Sequence, residues 1–113
     1  MHEMSICQSI LSAIEDQARA QDFNRVERVR LEIGPLAGVE IEALKFGFDV
    51  VMRGSLVEGA ALEIDEPPAT AWCLPCGESV PVKRRYDACP HCGSHQLQLT
   101  SGEELRIKEL EVN

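Results

Sequence analysis

Apolar residues recur every fourth position near the start of the chain. Ile6, Ile10, Ile14 and Ala18 form one stripe, which Leu11 and Ala13 widen. Gln8, Glu15, Asp16 and Arg19 take the other face. This period predicts an amphipathic helix from about Met4 to Ala20. Over residues 26–33 the period shortens to two. Val29, Leu31 and Ile33 point one way and Arg28, Arg30 and Glu32 the other, as in a half-buried strand. Gly34, Pro35 and Gly38 break it. A second helix is expected from about Glu40 to Arg53, with Ile41, Leu44, Phe48 and Val51 or Met52 inward and Gly54 as its stop. Residues 61–65 predict a short strand with Leu62 and Ile64 inward, ended by Pro67 and Pro68. Alternation returns over 103–112. There Leu105 and Ile107 are followed, one residue out of phase, by Leu110 and Val112, which predicts a bulge near Lys108–Glu109.

The order is helix, strand, helix, strand, cysteine-rich module, strand. It predicts an α+β fold, with two helices packed on a three-stranded sheet. The last strand cannot stand alone and should join that sheet. The module is then an insertion, with connections near Glu66–Ala71 and Thr100–Gly102. The expected domains are 1–69 with 101–113, and 70–100. An insertion on two linkers can exchange between chains, so both a monomer and a homodimer fit the pattern.

Composition narrows the function classes. With 113 residues, 44% apolar and 27% charged, the chain suits one small domain carrying a minidomain. No apolar run reaches the roughly 18 residues of a membrane span. MHEMSICQSI lacks the basic and apolar regions of a secretory signal, so a cytoplasmic protein is expected. The net charge of -8 disfavours a phosphate backbone as partner. Residues 70–101 differ from the rest, with a net +1 that comes from Lys83, Arg84 and Arg85 against Glu78 and Asp87.

In a reducing compartment, paired cysteines point to metal before disulfide. The spacing is Cys73-x2-Cys76, twelve residues, then Cys89-x2-Cys92. Each CxxC turn presents two thiolates, and the loop between them folds back to complete a tetrahedron. Gly77 and Gly93 follow the second cysteine of each pair, where a sharp turn favours positive φ. Val80, Val82 and Tyr86 predict short hairpin strands between the pairs. The pattern reads as a zinc ribbon. Iron uses the same ligand set, and a redox pair would need only one CxxC at a strand-to-helix junction. Four thiolates close the coordination sphere, which makes the site structural. Cys7, near the stripe of the first helix, reads as a buried small hydrophobe. His91 and His95 read as surface residues.

By position alone, Met1-His2-Glu3 would be a frayed start. Its chemistry gives a second reading. The terminal amine, the amide nitrogen of residue 2 or 3 and the His2 imidazole can close small chelate rings around one ion. Such nitrogen donors in a plane suit Ni(II) or Cu(II), whereas zinc prefers a tetrahedron. The Glu3 carboxylate could hold a hydrogen bond just outside the ligands.

The MHEMSICQSI start, the two CxxC pairs twelve residues apart and the CPHCGS run together resemble the HypA/HybF family of hydrogenase maturation proteins, over the whole chain. The resemblance implies a nickel metallochaperone rather than an enzyme. It would load Ni(II) into the large subunit of [NiFe]-hydrogenase together with the HypB GTPase, and in some bacteria it would serve urease. By position it implies His2 as a nickel ligand, with the Met1 amine and adjacent backbone amides as further donors and Glu3 beside them. It also implies Cys73, Cys76, Cys89 and Cys92 as zinc ligands. The rival reading is a zinc-ribbon adaptor that binds nucleic acid or docks a partner and delivers no metal. Lys83, Arg84, Arg85 and Tyr86 support it, although the same run also reads as a solvated hairpin tip.

Overall fold

A computed structural model describes residues 2–113. Helix α1 (Glu3–Gln21) is followed by strand β1 (Val26–Ile33), helix α2 (Ile41–Met52) and strand β2 (Ala61–Asp65). Strands β3 (Ala69–Cys73), β4 (Glu78–Val82), β5 (Leu97–Ser101) and β6 (Leu105–Val112) complete the chain. They form two three-stranded sheets, ordered β2-β1-β6 and β4-β3-β5. The fold is thus the expected α+β arrangement of two helices and a three-stranded sheet, with the cysteine module between β2 and β6. None of the described helices is long and apolar enough to cross a membrane.

The chain divides into two compact units. One contains residues 2–31, Val39–Ile64 and Ile107–Asn113, and the other Glu32–Gly38 and Asp65–Arg106. In the first unit, α1 buries Cys7, Ile10 and Ile14, at the three- and four-residue spacing of one helix face. Helix α2 buries Leu44, Gly47, Phe48 and Met52, so Met52 rather than Val51 closes its stripe. Burying each large apolar side chain contributes roughly 1.5–3 kcal/mol. The helices pack together, and the buried Cys7 Sγ lies 3.6 Å from the Leu44 carbonyl oxygen. Burial raises the Cys7 thiol pKa, which keeps it a neutral core residue, as its position on the stripe predicts.

Strand β1 buries Val29, Leu31 and Ile33 as its alternation requires. Its outward Arg28 bridges Glu63 at 2.8 Å and Glu109 at 3.0 Å. In β6 the half-buried positions are Ile107 and Leu110, three apart, so the in–out alternation changes phase between them.

The second unit departs from expectation in extent. Its sheet already includes Ala69 and Ser101, where connections were expected. Alternate residues Ala69, Ala71 and Cys73 are buried on one face of β3. That face pairs Ala71 with Val80 and Leu99, and Cys73 with Leu97, with a bulge between Thr70 and Ala71 on the β5 side. Val80 and Val82 lie in β4 as expected, but Tyr86 belongs to no strand. It lies in a turn with φ +68. Residues 32–38 also belong to this unit. The Gly34 N–H donates to the Glu104 carbonyl at 2.8 Å, and the Leu36 N–H to the Gly102 carbonyl at 2.7 Å.

Candidate metal centre

Cys73 ends β3 and Cys76 lies in the β3–β4 turn, and the loop before β5 carries Cys89 and Cys92. Each pair is folded in the same way. The Gly77 N–H donates to the Cys73 carbonyl and the Gly93 N–H to the Cys89 carbonyl, both at 2.8 Å. The two glycines take φ +66 and +77, the left-handed backbone that their sequence positions predicted. The His91 N–H points at Cys89 Sγ, 3.4 Å away.

The four sulfurs come together, with all ligand atoms within 4.8 Å of one another. Cys73 Sγ is 3.6 Å from Cys92 Sγ, and Cys76 Sγ is 3.9 Å from Cys89 Sγ. Zn–S bonds of about 2.3 Å at tetrahedral angles place neighbouring sulfurs about 3.8 Å apart. The separations therefore fit Zn(II) at the centre, and they are far beyond a disulfide bond of about 2.05 Å.

Without a metal, the clustered thiols oppose one another's ionisation. Contact with the Cys92 and Cys73 thiols raises the pKa of Cys76, and burial raises that of Cys73. Burial pushes Cys89 upward too, but N–H groups of Cys92 and His91 outweigh it and bring Cys89 down to about 6. Such a pocket favours one thiolate and resists more. A dication at the centre reverses the balance and holds all four as thiolates.

The histidines of the module stand apart from this set. His91 Nδ1 lies 2.8 Å from Glu78 Oε1, a partner that spacing alone did not reveal. His95 is exposed and lines a surface pocket with Arg84, Tyr86 and Leu99.

At the other end of the chain, Met1 lies outside the described residues, and so does the expectation for its amine. His2 is the N-cap of α1. Its imidazole makes no capping hydrogen bond, while its carbonyl accepts the first helical one, from the Ile6 N–H at 2.9 Å. The amides of His2 and Glu3 precede that bond, so neither has an intrahelical acceptor. Though exposed, the imidazole is partly desolvated by neighbouring protein, which lowers its pKa from the ordinary value.

Glu3 is tied down. Its carboxylate accepts from the Glu40 N–H at 3.1 Å, and that bond, with one from its own amide, lowers its pKa. Glu40 in turn caps α2, accepting from Glu42 and Ala43 N–H groups. The sequence reading placed Glu40 at the start of α2 but gave it no part at this end. Its position before the apolar run of α2 was the available sign.

These features define a protein with a four-cysteine cluster that could hold a metal ion. A family model described as "Hydrogenase/urease nickel incorporation, metallochaperone, hypA" matches residues 1–112. The chain belongs to this HypA family, whose members are nickel metallochaperones for hydrogenase maturation. It is 63% identical to the hydrogenase maturation factor HypA of Azotobacter vinelandii over 112 residues, 99% of each chain. With the factor of the same name from Alkalilimnicola ehrlichii, identity is 61% over the full length of both. Among solved structures it is similar to the solution structure of the Ni metallochaperone HypA from Helicobacter pylori, with a TM-score of 0.71 and 27% identity. That match covers 99% of this chain and 97% of the other.

Proposed function

We propose that this chain carries Ni(II) at its N-terminal end and holds Zn(II) structurally in the ribbon, as a carrier and not an enzyme. The nickel donors are the His2 imidazole, the Met1 amine and the backbone amide of His2 or Glu3, with the Glu3 carboxylate just outside the ligands. Zinc is held by Cys73, Cys76, Cys89 and Cys92. The division of labour follows the chain, with nickel on the unit that contains α1 and α2 and zinc on the ribbon unit. Delivery is to the large subunit of [NiFe]-hydrogenase, with the HypB GTPase as co-worker, in the cytoplasm.

The observation that carries the nickel assignment is the state of His2. It begins a helix, yet its imidazole is not spent on capping, and the amides beside it precede the helical ladder. A neutral imidazole, an amine and a deprotonated amide at adjacent positions form a planar donor set that suits Ni(II). The neighbouring carboxylate is already oriented by Glu40.

The test is nickel titration of zinc-loaded protein, parent beside His2→Ala, with metal analysis. The parent is expected to hold one nickel and one zinc, and the variant to keep zinc and lose nickel. Equal nickel binding by both would remove the ligand assignment. A parent that holds only zinc would favour a docking module without cargo.

A further inference from the structure

We infer that the ribbon unit carries a docking pocket for an acidic peptide segment of a partner protein, which places an aliphatic side chain on an apolar floor and a carboxylate against Arg84. The pocket lies apart from the four sulfurs. Leu36, Ala71, Val82, Leu97 and Leu99 make up its apolar lining, the floor, and Arg84, Arg85, Tyr86, Asp87 and His95 its polar lining, the rim. Of the floor residues, Ala71 and Val82 belong to a small core cluster with Ala69, on which Leu36 and Leu97 are only partly buried. That cluster opens to the surface here, and an incoming aliphatic side chain would complete it.

Size selects the kind of ligand. The pocket holds about 190 Å³. Small-molecule sites usually span roughly 300–1,000 Å³ and enclose most of the ligand. This volume suits one side chain, with the rest of the ligand running across the surface.

Charge selects its sign. Lys83, Arg84 and Arg85 are consecutive cations in a chain of net charge -8. The turn that carries them is fixed by Asp87, a lining residue whose carboxylate is occupied by backbone amides. The Asp87 carboxylate accepts from the Lys83 N–H at 3.0 Å and the Arg84 N–H at 2.9 Å. Arg85 is spent internally, donating to the Leu36 carbonyl at 2.9 Å and pairing with Glu103. Arg84 is not. Its guanidinium forms no hydrogen bond or ion pair among the described residues, and Asp87 attracts it only at longer range. A guanidinium in this state is suited to a carboxylate, which it can grip with two parallel bonds.

Tyr86 adds the third element. The residue is 93% exposed, and its backbone holds φ +68, which a non-glycine residue keeps only when its surroundings fix it. The fixed turn presents an amphipathic ring beside Arg84 at the rim, a combination enriched where proteins dock. A nucleic acid would also be drawn to cations and an aromatic ring, but the acidic remainder of the chain repels a phosphate backbone.

Fluorescence anisotropy of labelled peptides on the zinc-loaded full chain tests the pocket. The probes alternate aspartate with leucine, aspartate with serine, and lysine with leucine, and a labelled oligothymidylate is included. The aspartate–leucine peptide should bind, weaken in higher salt, and lose about tenfold or more in affinity with Arg84→Glu. Leu99→Ser should weaken it independently of salt. Arg84→Ser serves as a second variant should the charge reversal fail to fold, with zinc content as the folding check. Affinity unchanged in the Arg84 variants, equal binding of the aspartate–serine peptide, tighter binding of the oligothymidylate, or no binding at millimolar peptide would each overturn the proposal. None of these readouts involves nickel, so the pocket and the His2 site stand or fall separately.

Discussion

The Glu3 carboxylate accepts a hydrogen bond from the Glu40 backbone N–H at 3.1 Å, which links the first residue of α1 to the N-cap of α2. The proposed nickel donors thereby sit on an anchored segment. Glu3→Ala removes the anchor and is expected to weaken nickel binding by about tenfold, the scale on which groups just outside a metal's ligands act. Glu3→Gln keeps an oxygen acceptor and should lose less. The Glu40 N–H holds the Glu3 pKa below its ordinary value. The charged tie is therefore present at neutral pH and is lost as pH falls through that lowered value. Calorimetric nickel titration of both variants near neutral pH checks the order, and equal affinities in all three proteins would show that the tie does not matter.

Adding one residue before Met1 is a sharper test of the terminal amine. The extension keeps His2, Glu3 and the Glu40 bond but turns the amine into an amide and shifts the chelate ring. Nickel binding is expected to drop at least about tenfold while zinc content stays the same. Unchanged nickel affinity would remove the amine from the ligand set and leave the imidazole assignment standing.

Most of the framework was legible because burial and period agree. Cys7, Ile10 and Ile14, or Val29, Leu31 and Ile33, must face inward in any fold that buries them, and they do. The four cysteines were legible because their spacing encodes a tetrahedron. What escaped lies in contacts made far apart in sequence. Nothing local marks residues 32–38 as partners of 102–104, since their bonds run from backbone to backbone. Strands β3 and β5 are short, and β5 alternates poorly, with Leu97 half-buried but Leu99 exposed. Tyr86 read as a strand residue because aromatics favour strands, and here a turn closed by Asp87 overrides that propensity. The Glu3–Glu40 bond crosses 37 positions and could not be inferred from either residue's neighbours.

Zinc uptake should release protons. Cys73 and Cys76 have pKa values raised above 9.0, so both are thiols at neutral pH without metal. Both must ionise when zinc binds. Cys89, at about 6, is already a thiolate at neutral pH and takes up a proton only as pH falls through that value. Apparent zinc affinity is therefore expected to fall with falling pH by at least about hundredfold per unit near neutrality, and more steeply below about pH 6. Titrations in two buffers of different ionisation enthalpy count the protons directly. A heat independent of buffer would contradict the assignment of protonated Cys73 and Cys76.

The ribbon unit also depends on two glycines in contact. A Cβ on Gly34 would lie 2.1 Å from the Gly102 carbonyl oxygen, and one on Gly102, at φ +125, would lie 2.6 Å from the Ala69 Cβ. The obstacle to Gly34 is backbone, which also accepts the Leu36 N–H and cannot move aside cheaply. Gly34→Ala is therefore expected to cost about 2–3 kcal/mol or more, on the scale of overpacking a tight site. Gly38 separates this effect from backbone preference. It holds φ +75 with open space around its Cβ position, so Gly38→Ala should cost only about 1–2 kcal/mol. Denaturant unfolding of the zinc-loaded proteins gives both values. If Gly34→Ala proves as mild as Gly38→Ala, the close approach of residues 34 and 102 is not what holds the 32–38 segment in place.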